Sequence, residues 1–153
     1  MQRKPSRRTR NDPIEFQVLN EIGIIDQLVR NRAARLLAPE LNLSQFIVLN
    51  HFVRLGGKRS LMELASAMQV TKGAMSNTVA RLLGERLIAM VPDPQDGRGK
   101  IVSLTHAGRS ARNREVARLG LGLAGLDAVL SGEEFAHALD RLRKLRVWFD
   151  RNQ

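Results

Sequence analysis

The chain has no cysteine and no tyrosine, and its aromatic residues amount to five phenylalanines and one tryptophan in 153 residues. Without cysteine there can be no disulfide, no thiolate metal ligand and no thiol redox switch within the chain. Three histidines, His51, His106 and His137, stand apart without ligand spacing, so neither a metal nor a cofactor is expected. No apolar run is long enough to span a bilayer, and the basic N-terminus lacks the apolar segment of a signal peptide. A cytoplasmic protein with no membrane partner, working at the nucleoid, is expected. The usual marks of an enzyme are missing too: there is no glycine-rich phosphate loop, no metal cluster and no cysteine nucleophile, and no recognisable motif surrounds any serine, histidine or aspartate. Acid is also scarce. Twenty-five Lys and Arg against fifteen Asp and Glu give a formal charge of +10. That surplus points to an anionic partner, nucleic acid before acidic membrane, although a soluble protein that is simply basic would show the same balance. The 43% hydrophobic content suffices for a core, and the length fits one domain, with or without a dimerisation extension.

The stretch from Thr71 to Thr105 organises the rest. Met75, Val79 and Leu82 recur at helical spacing, flanked by Ala74 and Leu83, so one side of a helix packs inward. Lys72, Gly73, Ser76, Asn77 and Ala80 form the opposite stripe, with Arg81 at its edge and no carboxylate until Glu85. Thr71 suits the N-cap, where its hydroxyl accepts a bond from a free N–H of the first turn. Leu87 to Val91 then reads as a strand, Pro92 to Gly99 as a turn, and Lys100 to Leu104 as a second strand. The expected product is a β-hairpin carrying Arg98 and Lys100 at its tip. A helix with a small, polar, cationic face followed by a basic hairpin is the arrangement of a winged helix. The helix enters a major groove and the tip reaches a minor groove or phosphates.

The elements before this stretch complete a helix-turn-helix. Asp12-Pro13-Ile14-Glu15 reads as a helix start, with Asp12 as cap. Val18, Ile22, Ile25, Val29, Ala33 and Leu36 continue a stripe until Pro39 stops the helix. Ser44 is the expected cap of the next helix, whose apolar side is Phe46, Ile47, Leu49, Phe52, Val53 and Leu55, ending at Gly56-Gly57. Ser60 to Glu63 is a capping box for a short helix through Met68, and Gln69-Val70 turns into the recognition helix.

The chain resembles the MarR family of bacterial winged-helix transcription regulators. The matching residues are Leu43-Ser44-Gln45-Phe46, Leu64-Ala65, Val70-Thr71-Lys72, the wing Asp93-Pro94-Gln95-Asp96-Gly97-Arg98, then Val102-Ser103-Leu104-Thr105 and Gly108. The similarity runs from about Ile14 to Leu145. One position departs from it: the family's wing commonly reads Asp-Arg-Arg, and here the middle residue is Gly97, which removes one phosphate contact. The resemblance implies a mainly α fold with a small β-hairpin wing, in which a winged helix-turn-helix domain is flanked by N- and C-terminal dimerisation helices. It implies a repressor-type homodimer on a pseudo-palindromic operator in double-stranded DNA, released by a small aromatic or anionic effector.

After the wing a helix starts at Thr105 or His106. Its Arg109, Arg112, Arg114 and Arg118 are either a phosphate-facing surface or an ordinary solvated one. It is expected to run through Leu119, Leu121, Leu123, Leu126 and Val129, with Gly120, Gly122 and Gly125 allowing either close helix approach or a bend. Ser131 to Glu134 is a third capping box, and the last helix carries Phe135, Leu139, Leu142, Leu145 and Phe149, with Trp148 beside them. The outer helices have apolar faces that so small a domain can hardly bury alone, and pairing two chains would cover them. The division expected is a basic disordered tail over 1–12, a dimerisation helix over 13–38, the winged helix over 39–105 and dimerisation helices over 106–150.

Within this frame the DNA-binding residues expected are Thr71, Lys72, Gly73, Ser76, Asn77, Arg81, Asp96, Arg98 and Lys100. Ser76 and Asn77 read base edges, Lys72 and Arg81 serve phosphates or guanine, and Gly73 lets the helix approach closely. Arg98 enters a minor groove, held in orientation by Asp96. Phe16, Phe46, Phe52 and Trp148 are the aromatics able to line an effector pocket, and Arg30, Arg32 or Arg35 can meet an anion. Two other readings use the same residues: a chromatin-type protein that binds DNA without reading sequence, and a winged-helix protein-interaction module.

Overall fold

The computed structural model describes residues 12–37, 39, 41–96 and 99–152. The basic tail over 1–11 and the wing residues Gly97 and Arg98 lie outside the described residues. Helix α1 spans Ile14–Leu36, α2 Leu43–Leu55, α3 Leu61–Ala67, α4 Lys72–Gly84, α5 His106–Gly122 and α6 Gly132–Arg151. The strands are β1, Lys58–Ser60, β2, Ile88–Pro92, and β3, Lys100–Leu104. They form one antiparallel sheet in the order β1-β3-β2. The described residues fall into two compact units that part between Leu119 and Gly120.

The core belongs to the first unit. Val48, Leu49 and Phe52 of α2, Leu64 of α3, Val79 and Leu82 of α4, Ile88 of β2 and Val102 of β3 are its most deeply buried side chains. The α4 stripe predicted from spacing is therefore the surface on which that helix rests. Along α2 the inward side differs slightly from expectation. Val48 belongs to it, whereas Leu55 is exposed.

The hairpin gains a third strand that the sequence does not announce. Lys58, Arg59 and Ser60 pair with Ser103, Val102 and Ile101. A Lys-Arg-Ser tripeptide has neither alternation nor strong β-propensity, so the strand exists through its partner β3 rather than its own preference. Gly56 and Gly57 take φ of +64° and +75°, which lets the chain leave α2 and turn straight into β1.

Three helix boundaries differ from the sequence expectation. Pro13, not Asp12, stands at the N-cap of α1, and no side chain caps that helix. The Pro13 carbonyl accepts the first ladder bond from Gln17 N, which leaves Asp12 one residue too far out. Asn42, not Ser44, caps α2. Its side chain accepts from Gln45 N at 2.9 Å while the Gln45 side chain accepts from Asn42 N at 3.0 Å. Ser44 sits inside the first turn. Asn42→Ala is therefore expected to lower stability by about 1 kcal/mol and Ser44→Ala by almost nothing, read from urea unfolding midpoints. Finally, α5 stops at Gly122 instead of continuing to Val129. A turn follows, with Gly125 at φ +91°, and then a single 3₁₀ turn over Leu126–Ala128. Three glycines in six positions end the helix rather than bend it.

The capping boxes at Ser60 and Ser131 form as expected. Their N3 glutamates, Glu63 and Glu134, are held below the usual carboxylate range by bonds from the backbone and hydroxyl of the capping serine. In the second unit, α6 carries Phe135, Leu139, Leu142, Trp148 and Phe149 on exposed positions. In the first unit, α1 buries only Ala33, and Ile14, Ile25 and Leu28 are exposed. No helix among the described residues is long and apolar enough to cross a membrane.

Candidate nucleic-acid interface

The recognition helix is set by the turn before it. Gln69 N donates to Ser66 O and Val70 N to Ala65 O, both at 3.0 Å, and Gln69 adopts φ +55°. This left-handed step ends α3 and redirects the chain within four residues. Thr71 then caps α4, accepting from Ala74 N at 3.1 Å. Met75, Val79 and Leu82 face the core, so the opposite surface must face outward.

On that outward surface Lys72, Gly73, Asn77, Ala80 and Arg81 are exposed, and Ser76 is half-buried. From Leu64 through Gly84 there is no Asp or Glu. An acid-free helix face with small residues along it can come within contact distance of a polyanion without repulsion. Asn77 stands more openly than Ser76. Thr78 turns its hydroxyl back onto the Ala74 carbonyl at 3.1 Å.

The hairpin presents Lys100 and Asp96 on exposed positions. Its turn is closed by backbone bonds from Asp93 N to Gly99 O at 3.0 Å and from Gly99 N to Asp96 O at 2.8 Å. The Asp93 carboxylate accepts from Gln95 N at 2.9 Å. Arg98, and with it the expected pairing to Asp96, lies outside the described residues.

Two features of the surface carry no sequence signal. Lys58 and Arg59 lie on β1, beside the hairpin, and add cationic charge to the wing sheet. Arg59 and Arg54 also bear on His51, whose Nε2 is buried without a hydrogen-bond partner among the described residues. Burial first, then these two arginines, pull its pKa below the ordinary histidine value. The basic row on α5 also divides. Arg112 points onto α2, where Nε and Nη2 both donate to Asn50 Oδ1 at 3.0 and 2.7 Å. It is a tie between helices, not a phosphate contact. Arg109 remains exposed.

A cavity of about 460 Å³ lies under α4. Met75 and Thr78 of α4, Ile47 and Val48 of α2, and the turn at Gln69-Val70 line it, with Arg30 of α1 at its side. None of Phe16, Phe46, Phe52 or Trp148 lines it, and of the three arginines proposed for an anion only Arg30 does. Phe52 is spent on the core and Phe46 packs against it. Arg30 also bonds to Asp26 at 2.7 Å. No group of three or more His, Asp or Glu residues among the described residues is placed to hold a metal ion.

A helix-turn-helix whose second helix exposes a cationic, acid-free face, followed by a three-stranded wing sheet, defines a winged-helix DNA-binding protein. Residues 40–99, the winged helix itself, match the sequence model of the MarR family. Solved structures agree. Wild-type MarR from E. coli in its apo form is 26% identical, with a TM-score of 0.70 over 82% of this chain and 93% of that one. A cysteine-to-serine variant of E. coli MarR in complex with operator DNA is 25% identical, with a TM-score of 0.64 over 84% and 93%. BpsR of Bordetella bronchiseptica, from a structure concerned with regulation of its DNA binding by 6-hydroxynicotinic acid, is 24% identical, with a TM-score of 0.64 over 85% and 98%. No curated protein sequence matches the chain. The winged helix thus resembles that of the MarR family, and these relatives point to a DNA-binding transcription regulator rather than an enzyme.

Proposed function

We propose that the protein is a homodimeric repressor that binds a pseudo-palindromic operator through the exposed face of α4. The observation that carries this reading is the acid-free outer surface of α4, with Lys72, Asn77 and Arg81 exposed over a buried stripe. Asn77, with Ser76 beside it, reads base edges, and Asn can bond adenine with two contacts. Lys72 and Arg81 hold phosphates or guanine, and Gly73 lets the backbone approach. Thr71 fixes the start of the helix by its cap. Arg98 and Lys100 extend the contact from the wing, with Asp96 orienting Arg98. The operator complex of the related E. coli protein supports a docking of this kind. The exposed apolar residues of α1 and of α6 support a dimer, in which two recognition helices would meet successive major grooves about 34–36 Å apart. Acting on DNA, the protein works in the cytoplasm, at the nucleoid. The cavity under α4 supports release by a small aromatic or anionic effector. Such a ligand would touch Met75 and Thr78 of the recognition helix directly and favour a spacing that misses the operator.

The test begins with an operator selected from a pool of genomic fragments against random competitor DNA. Asn77→Ala is expected to weaken operator binding about ten- to a hundred-fold while leaving random DNA nearly unchanged. Lys72→Ala should instead weaken both by a similar factor and reduce the salt dependence by about one counterion. Equal losses on both DNAs for Asn77→Ala would refute base reading at that position and favour a sequence-independent binder. A monomer in micromolar sedimentation would refute the dimer.

A further inference from the structure

We propose that the seam between α2 and β1 is an acid-sensitive latch, in which neutral His51 keeps β1 on the wing sheet and protonated His51 releases it. His51 stands on α2 with Nε2 buried and without a hydrogen-bond partner among the described residues. Its ring meets that of the core residue Phe52 edge to face, with centroids 6.0 Å apart, so the imidazole borders the core. Two charges bear on it and both are positive: Arg54, three residues on along α2, and Arg59, from β1. Of the other elements on α2, α5 brings Arg112 to Asn50, α1 brings Arg30 to the cavity beside Ile47, and β3 and α4 contain no carboxylate. Arg59 is kept over the turn between α2 and β1. Its Nη1 donates to Lys58 O at 2.7 Å and would stand 3.0 Å from a Cβ built on Gly57.

Of the elements at this seam, β1 is the one that gives way. It has three residues, lies at the edge of the sheet and pairs with β3 alone. The turn before it is Gly56-Gly57, both in the left-handed region, so the strand can swing while α2 stays whole. Protonation puts a hydrogen on both nitrogens of His51. A buried N–H then lacks an acceptor, and a third positive charge joins the two arginines. Burial, then Arg59 and Arg54, hold the pKa of His51 below its ordinary value, so the folded chain takes up this proton less readily than the unfolded one. The stability tied to neutral His51 is therefore whole above about pH 6.5 and is lost as the pH falls from there towards the folded value. The far side of β1 does not titrate in this window. Glu63 accepts from Ser60 N at 2.6 Å and is held below the usual carboxylate range, so the cap of α3 survives. Acid thus loosens β1 on the α2 side only, and the wing sheet falls from three strands to its hairpin.

The experiment is amide hydrogen exchange of the full chain, without DNA, so that it does not depend on the operator reading. Protection factors are measured by NMR from about pH 7.5 down to about pH 5.5, where one proton can change an opening equilibrium by at most about ten-fold per pH unit. Amides in the β1–β3 ladder should lose protection about five-fold or more over this range, while those of the buried α2 and α4 residues Leu49 and Leu82 lose less. His51→Gln should remove the pH dependence of the ladder. Arg54→Gln, at an exposed position, should reduce the fall at least two-fold by taking away one of the two charges. Constant protection of β1 across the range overturns the proposal. So does a fall in His51→Gln equal to that of the natural chain, or loss of protection shared evenly by the ladder and the core. Should His51→Gln fail to fold, Arg54→Gln decides, and a fall as large as in the natural chain overturns the latch.

Discussion

Replacing Gly108 with alanine is expected to destabilise the first unit by about 3 kcal/mol or more, among the largest effects of any single methyl group added to this chain. Gly108 lies in the first turn of α5 and is buried. A Cβ built there would stand 2.0 Å from the Leu87 carbonyl oxygen and 2.8 Å from Leu104 Cδ1. The Leu87 oxygen is a backbone atom and is not free to yield. The Leu87 oxygen accepts from Thr105 N at 3.2 Å and lies 2.9 Å from the Thr105 hydroxyl. The same hydroxyl is 2.9 Å from the Arg86 carbonyl and accepts from Gly108 N at 3.0 Å. Adding the methyl forces α5 off this anchor and breaks these part-buried bonds as it goes. Urea unfolding monitored by circular dichroism checks the value. A loss below about 1 kcal/mol would mean that α5 can pivot away from the wing base at little cost.

Leu82→Ala is expected to lower stability by about 3–5 kcal/mol, because Leu82 is fully buried where α4 rests on the core. The next residue is the control. Leu83 is 40% exposed, and Leu83→Ala should cost no more than about 1 kcal/mol. The first variant is also expected to lose DNA binding in step with folding. Lowering the temperature should therefore restore part of it, which it cannot do for Asn77→Ala. An equal loss of stability in the two leucine variants would contradict the placement of the helix.

This pair of leucines shows why α4 was legible in the sequence. A helix with one buried side repeats its apolar residues at a period that survives in the chain, and its hydroxyl cap at Thr71 is a local signal. The same holds for Ser60 with Glu63, and for Lys100 to Leu104, whose alternation is visible without knowing its partner. Legibility failed where structure depends on something distant. β1 is a strand because β3 lies beside it. Arg112 leaves the basic row of α5 because Asn50, sixty-two residues away, offers an oxygen. Asn42 and Ser44 are both good caps, and only the exact start of the ladder chooses between them. The aromatic residues were a poor guide to the cavity under α4, since the larger ones near it were needed by the core. The nine residues expected to contact DNA follow from face and charge. Eight of them are described, seven on exposed positions and Ser76 half-buried.

The left-handed residues Gln69 and Arg86 stand one on each side of the recognition helix, at φ +55° and +57°. They act as end stops. Neither is glycine, so each is held in place by its surroundings at an energetic cost, and a helix closed in this way can neither grow nor unwind by a turn without relocating a strained residue. On the docking proposed above, the length of the probe offered to a groove is therefore constant. Accommodation between protein and DNA then falls to the bending of the duplex and to the wing, and sequences that bend easily gain an advantage at positions no side chain touches.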